Sequence, residues 1–167
     1  IQKLVSAKCE KNRNKFFDNF IFVGRNELDL GQNDSITDYF QDNKFDLIIN
    51  CAAYTAVNKA EDDVEQADLI NHIAVKSLAI IAHQQGAKLI HISTDYVFDG
   101  KSDKPYVETD IPNPLNAYGK TKLAGEKAIQ KSMLTDAIII RTSWVYSEYG
   151  NNFVKTMLRL GRKSEDL

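Results

Sequence analysis

HISTDYVFDGKSDKPYVETDIPNPLNAYGKTKLAGE, residues 91–126, sets a Ser-Thr-Asp cluster at the end of an apolar run and follows Thr94, 24 residues later, with Tyr118 and Lys122. The apolar run reads as a strand, the Pro112-Asn113-Pro114 turn as an entry, and residues 117–131 as a helix with Leu123, Ala124, Ala128 and Ile129 as its apolar contacts. On that helix Tyr118 and Lys122 lie on one face. A cation beside a phenol lowers its pKa from about 10 and eases proton transfer at neutral pH, so the pair reads as a proton-donating site. Alone it is a weak signal. Chance placement of 7 Tyr and 16 Lys in 167 residues gives about 0.7 such pairs.

Outward from this stretch, short runs rich in Ile, Val and Phe read as strands at residues 20–23, 46–50, 88–93 and 137–141. They are near-continuous rather than alternating, the pattern of parallel strands covered on both faces. Between them, residues 61–85 repeat Ala67, Ile70, Ala74, Leu78 and Ile81 every three or four positions, with Gly86 placed to cap the end. Alternating strands and helices predict an α/β, Rossmann-like doubly wound parallel sheet, with ligands at the carboxyl ends of the strands. The candidate chemistry falls after Asn50, Ile92 and Arg141, at such ends.

The rest of the composition narrows the class. With 43% apolar and 26% charged residues and a net charge of −2, the chain is of ordinary globular composition. No basic cluster interleaves with aromatics to suggest nucleic acid, no run is long enough to span a bilayer, and no signal peptide opens the sequence. The expected location is cytoplasmic. Cys9 and Cys51 form neither a disulfide framework nor a zinc pattern and read as buried or incidental thiols. His72, His83 and His91 lack ligand-like spacing, so no metal ligand is assigned. The run KCEKNRNK at residues 8–15 reads as a solvated helix end with its loop.

A dinucleotide fold normally opens with a Gly-rich turn that lets the backbone approach a pyrophosphate, yet the eight glycines here form no such motif. The sequence begins with Ile1 in a helix-like segment, and residues 153–162 read as a helix leading onward. The expectation is therefore an NAD(P)-binding domain over residues 1–167, truncated at both ends. Its first strand and G-x-x-G-x-x-G turn would lie within about 15 residues before Ile1, and most of a substrate lobe would follow Leu167.

Four stretches converge on a family. NCAAYTAVNKAE (50–61), STDYVFDG (93–100), PLNAYGKTKLAGE (114–126) and RTSWVYSEYGNNFVKTMLR (141–159) resemble, in order and spacing, the dTDP-4-dehydrorhamnose reductases of the extended short-chain dehydrogenase/reductases. The resemblance runs from about residue 29 to 159. It implies hydride transfer from NADPH or NADH to C4 of dTDP-4-dehydro-beta-L-rhamnose, giving dTDP-L-rhamnose. Carried over, Tyr118 is the general acid, Lys122 lowers its pKa and binds the nicotinamide ribose, and Thr94 orients the carbonyl. Hydride addition builds negative charge on oxygen, so a donor in place makes chemical sense independently.

The same resemblance gives Asp29 and Leu30 as an adenine-side pair, Ala52 and Ala53 as small residues along which the cofactor passes, and Ser93 on the nicotinamide side. Thr55, Asp95, Tyr96 and Trp144 match substrate-facing positions, an aromatic ring suiting a deoxysugar's apolar face. Other readings stand beside these: a turn acid and core leucine for Asp29 and Leu30, a local backbone cap for Thr94, and core packing for Tyr96 and Trp144. Arg25 suits a 2′-phosphate but reads more simply as a solvated arginine. Some family members place Mg²⁺ between subunits, which would involve carboxylates beyond Leu167 and a homodimer. Cys51 stands where alanine is usual. Two further functions compete: a non-catalytic regulatory subunit resembling that of methionine adenosyltransferase, and a related nucleotide-sugar epimerase or dehydratase. The Thr94, Tyr118 and Lys122 set weighs against the first, and STDYVFDG and RTSWVY against the second.

Overall fold

The computed structural model describes residues 20–133 and 135–162. Its backbone packing separates Arg25–Ser143 from a second unit that takes in residues 20–24 and 144–162.

Arg25–Ser143 is built on three parallel strands in the order β1-β2-β3: β1 (Leu47–Asn50), β2 (Lys88–Thr94) and β3 (Ala137–Thr142). Leu47 pairs with Lys88 and Leu89 with Ala137, which leaves all three carboxyl ends on one edge. Helix α1 (Asn33–Asp42) precedes β1; α2 (Val64–Asp68) and α3 (Ala74–Gln85) connect β1 to β2; α4 (Ala117–Ser132) connects β2 to β3. This is the α/β, Rossmann-like arrangement expected, with the strands at the predicted places to within one residue. Gly86 ends α3 at φ 69°, in the left-handed region, and its N–H and that of Ala87 close onto the last carbonyls of the helix.

One face of the sheet makes the core. Leu89 packs with Val75, Ala79, Ala82, Ile129 and Met133, while Ile48 lies against both this cluster and that of Leu30, Ile36, Phe40, Ala74 and Leu78. Leu47, Ile49, Ile138 and Ile140 remain exposed. Coverage on both faces is thus met on one face among the described residues.

Three further expectations change. Residues 20–23 carry no strand; an apolar run is compatible with a strand but becomes one only where a neighbouring backbone pairs with it. The crossover helix starts at Val64 rather than residue 61, after a 3₁₀ turn at Lys59–Glu61, and a π-helical turn at Leu69–Ile73 divides it. Helix α1 went unforeseen, because NDSITDYFQD is polar and buries Ile36 and Phe40 alone. The KCEKNRNK run, the helix-like segment at Ile1 and Cys9 lie outside the described residues.

The second unit contains α5 (Phe153–Gly161), whose start is capped by Asn152 accepting from the Lys155 N–H, and Trp144 packs edge-on against Phe153. Among the described residues no helix is long and apolar enough to cross a membrane.

Candidate active site

The site is assembled where β2 meets α4. Along β2, Leu89, His91 and Ser93 are buried, while Ile90 and Ile92 are less so. Two residues along a strand advance about 6.6 Å and four along a helix about 6 Å, so His91 and Ser93 match Lys122 and Glu126 one turn apart. Both contacts form: Lys122 Nζ lies 3.2 Å from His91 Nε2, and Ser93 Oγ donates to Glu126 Oε1 at 2.5 Å. The start of α4 is fixed twice, by Asn116 Oδ1 accepting from Gly119 N and Glu61 Oε1 accepting from Ala117 N, each at 2.7 Å. Gly119 and Gly125 let α4 approach; a Cβ on the first would collide with the Tyr96 carbonyl and on the second with that of Asn71.

Tyr118 is 8% exposed and its ring meets that of Tyr96 edge to face, with centroids 5.7 Å apart. Burial pushes the phenol's pKa up, the Thr94 hydroxyl beside it pulls it down, and Asp95 and Tyr96 add to the rise. The expected lowering by Lys122 is not found. Its Nζ turns to the strand, donating to the Ile92 carbonyl at 2.7 Å and contacting His91. Lys122 is buried, and desolvation lowers its pKa to about 8 against the opposing pull of Glu126.

Thr94 caps the turn after β2, where its Oγ1 accepts from Tyr96 N and donates to Asp95 Oδ1. It therefore serves a local backbone group and neighbours the phenol at once. Asp95 is exposed and its Oδ2 accepts from Ser143 Oγ at 2.6 Å. Tyr96 is 45% exposed, which sets aside the core reading for it.

The loop after β1 carries Ala52 and Ala53, exposed and half-buried, and an exposed Thr55. Cys51 is also exposed, so the buried-thiol reading does not hold for it, and the partial desolvation its thiol keeps raises the pKa. Side chains this small at the carboxyl end of β1, on the sheet edge that also carries the carboxyl end of β2, suit the close passage of a dinucleotide.

Other expected cofactor residues are engaged elsewhere. Leu30 is a core residue, and Asp29 Oδ1 accepts from Gly31 N at 2.9 Å and lies 3.3 Å from Arg25 Nε. The Gly31 N–H is the main cause that lowers the Asp29 pKa. This is the turn acid and core leucine arrangement, and Arg25 is the acid's partner. The Ser93 hydroxyl donates to Glu126, so it can meet a nicotinamide only as an acceptor or through its backbone. Trp144 belongs to the second unit, is 71% exposed and has φ 48°, a strained conformation for a bulky residue.

Several polar groups went unnoticed in the sequence. Glu126 receives Arg141 in a bidentate contact, with Arg141 Nη2 at 2.7 Å, and the guanidinium lies over the Phe98 ring. Buried Asn71, on the π turn, accepts from Tyr54 N and donates to Tyr54 O and Thr121 Oγ1. His91 is fully buried between Asn50 and Lys122, and desolvation lowers its pKa to about 3. The period-two burial of Leu89, His91 and Ser93 was the available signal: polar residues facing a helix need partners on it.

Comparison with known proteins gives the family. A family model described as the RmlD substrate binding domain matches residues 10–167. The dTDP-4-dehydrorhamnose reductase of Escherichia coli (strain K12) is 56% identical over 122 residues, 73% of this chain and 40% of that protein. A solved dTDP-4-dehydrorhamnose reductase of Clostridium acetobutylicum superposes with TM-score 0.88 at 39% identity, over 99% of this chain and 57% of the other. A third, from Bacillus anthracis in complex with NADP, superposes with TM-score 0.85 at 38% identity, covering 96% and 57%. The chain thus spans between two-fifths and three-fifths of the length of these relatives.

Proposed function

The chain belongs to the RmlD substrate binding domain family, and on that premise we propose that it serves an NADPH- or NADH-dependent reductase that converts dTDP-4-dehydro-beta-L-rhamnose to dTDP-L-rhamnose. The observation that carries this reading is the Tyr118 hydroxyl beside Thr94 at the carboxyl end of β2, with the Lys122 amine buried one helical turn on. Residues 1–167 are taken as the NAD(P)-binding, Rossmann-like part of that enzyme, which we place in the cytoplasm.

Ala52 and Ala53 would hold the reduced cofactor, which would supply the hydride for C4 of the sugar. The carbonyl oxygen then carries negative charge and takes the Tyr118 proton. A phenol whose pKa is raised by burial is fully protonated at neutral pH, the form a reduction needs. Thr94, on turning its hydroxyl away from Asp95 Oδ1, holds the oxygen in line with that proton. Lys122 binds the Ile92 carbonyl and His91 and keeps a further N–H for a ribose hydroxyl. Asp29 remains the proposed adenine-side acid, and Thr55, Asp95 and Tyr96 the groups that take the sugar nucleotide; for Trp144, in the second unit, a substrate-facing role rests on the resemblance alone.

The test is turnover by the full-length protein with NADPH and dTDP-4-dehydrorhamnose, followed by loss of reduced-nicotinamide absorbance and by product identity. Stoichiometric dTDP-L-rhamnose is expected. Sugar epimerisation without net cofactor consumption would instead support the epimerase reading, and absence of both reactions the regulatory one.

A further inference from the structure

A single line of polar contacts runs through the buried ground between the β1 loop and Lys122. The Ala52 N–H donates to Asn50 Oδ1 at 3.0 Å, Asn50 Nδ2 lies 3.1 Å from His91 Nδ1, and His91 Nε2 lies 3.2 Å from Lys122 Nζ. Asn50 is 6% exposed, His91 0% and Lys122 1%, so the line is closed to water along most of its length.

The direction of each bond follows from the first. A backbone N–H can only donate, so the Asn50 atom facing Ala52 must be the carbonyl oxygen. Its amide nitrogen then faces His91 Nδ1, which must accept. A neutral imidazole that accepts at Nδ1 carries its proton on Nε2, aimed at Lys122. An ammonium has no lone pair, so that contact is a hydrogen bond only when Lys122 is an uncharged amine. A charged Lys122 needs the opposite order: a lone pair on Nε2, the proton on Nδ1, the Asn50 oxygen turned toward His91, and the Ala52 N–H facing an amide donor.

We propose that Asn50 and His91 are positioning residues that couple the proton on Lys122 to the Ala52 loop: while the loop's N–H holds the Asn50 oxygen, His91 presents an N–H to Lys122 and favours its uncharged form. As a statement about proton transfer behind Tyr118, this rests on the reductase reading; as a statement about Lys122 it does not. The coupling meets few competing charges. Glu126, one turn along α4, favours the ammonium, but its carboxylate is already bound by Arg141 of β3 and by Ser93. Tyr118, one turn earlier, is held as a neutral phenol. His91 stays neutral throughout the range in which Lys122 titrates.

The test is ¹⁵N NMR of histidine and lysine side chains in the full-length protein from pH 6 to 10, without substrate. The expected result is that His91 remains neutral and moves its proton from Nδ1 to Nε2 with rising pH, with the same midpoint as Lys122. In Asn50→Ala, which introduces no charge and frees the imidazole, Lys122 is expected to titrate at least about one pH unit higher, about tenfold in proton affinity. A His91 tautomer that is constant while Lys122 titrates overturns the proposal, as does an unchanged Lys122 midpoint in a folded Asn50→Ala. If that variant does not fold, the wild-type titration decides by itself. Because no turnover is measured, failure here is separate from failure of the reductase reading; the basic limb of kcat/KM against pH, displaced upward in Asn50→Ala, links the two.

Discussion

No Cβ fits on Gly119 against the carbonyl oxygen of Tyr96. That close approach sets the start of α4 against the turn after β2, and so sets Tyr118 beside Thr94. Gly119→Ala gains helix propensity of about 1 kcal/mol but must push the two backbones apart. The expected outcome is a fall in kcat of at least about tenfold, the size seen when a catalytic group is misplaced, with cofactor affinity changed far less. Measuring both in the full-length protein checks it; wild-type kcat would show that this contact does not place the phenol.

Glu126 is 1% exposed at its side chain, and its charge is balanced by Arg141 and Ser93. Removing the acid leaves Arg141 partly buried beside an unanswered hydroxyl. Glu126→Ala is expected to lose about 3–5 kcal/mol in denaturant unfolding, the usual cost of breaking a buried pair from one side. Glu126→Leu combined with Arg141→Met removes both charges and is expected to recover a substantial part. A loss below about 1 kcal/mol in the single variant would mean the pair is solvated and adds little.

His91 gives the protein an acid-side weakness. Its pKa is about 3 when folded and near 6.5 when unfolded, so below pH 6.5 the unfolded chain binds more protons. The stability tied to the neutral ring is full above pH 6.5 and is lost as pH falls toward 3. Between pH 6.5 and 5, above the range in which ordinary carboxylates titrate, the expected loss is about 2 kcal/mol. Urea midpoints across that interval check it. The slope should vanish in His91→Phe, and a flat wild-type profile would show that the ring is not buried neutral.

The sequence made the sheet readable because β1, β2 and β3 are apolar runs with turn residues on either side, and Gly86 and Pro112–Pro114 mark helix boundaries through backbone chemistry. Helix α1 lacks such a signal: most of its residues face solvent, and Ile36 and Phe40 gain their meaning from Leu78 and Ala74, remote in sequence. The π turn is equally hidden, since Asn71 is explained by Tyr54 and Thr121 rather than by its neighbours. At the site, Thr94 and Tyr118 are found together as expected. What spacing could not convey was competition for partners. Ser93 is taken by Glu126, Leu30 by the core, and Lys122 by Ile92 and His91, because each buried polar group must be satisfied by whatever the fold brings near.

The most direct test of the proton donor is kcat of Tyr118→Phe in the full-length protein, with NADPH and dTDP-4-dehydrorhamnose, alongside the affinity for NADPH by fluorescence titration. Deleting one oxygen from a ring packed against Tyr96 leaves the packing in place. The expected result is a kcat lower by about 10²–10⁴-fold, the typical worth of a positioned acid, with NADPH affinity within a few-fold of wild type. A kcat within about threefold of wild type, well short of that range, would contradict the assignment and require another group to protonate the sugar oxygen.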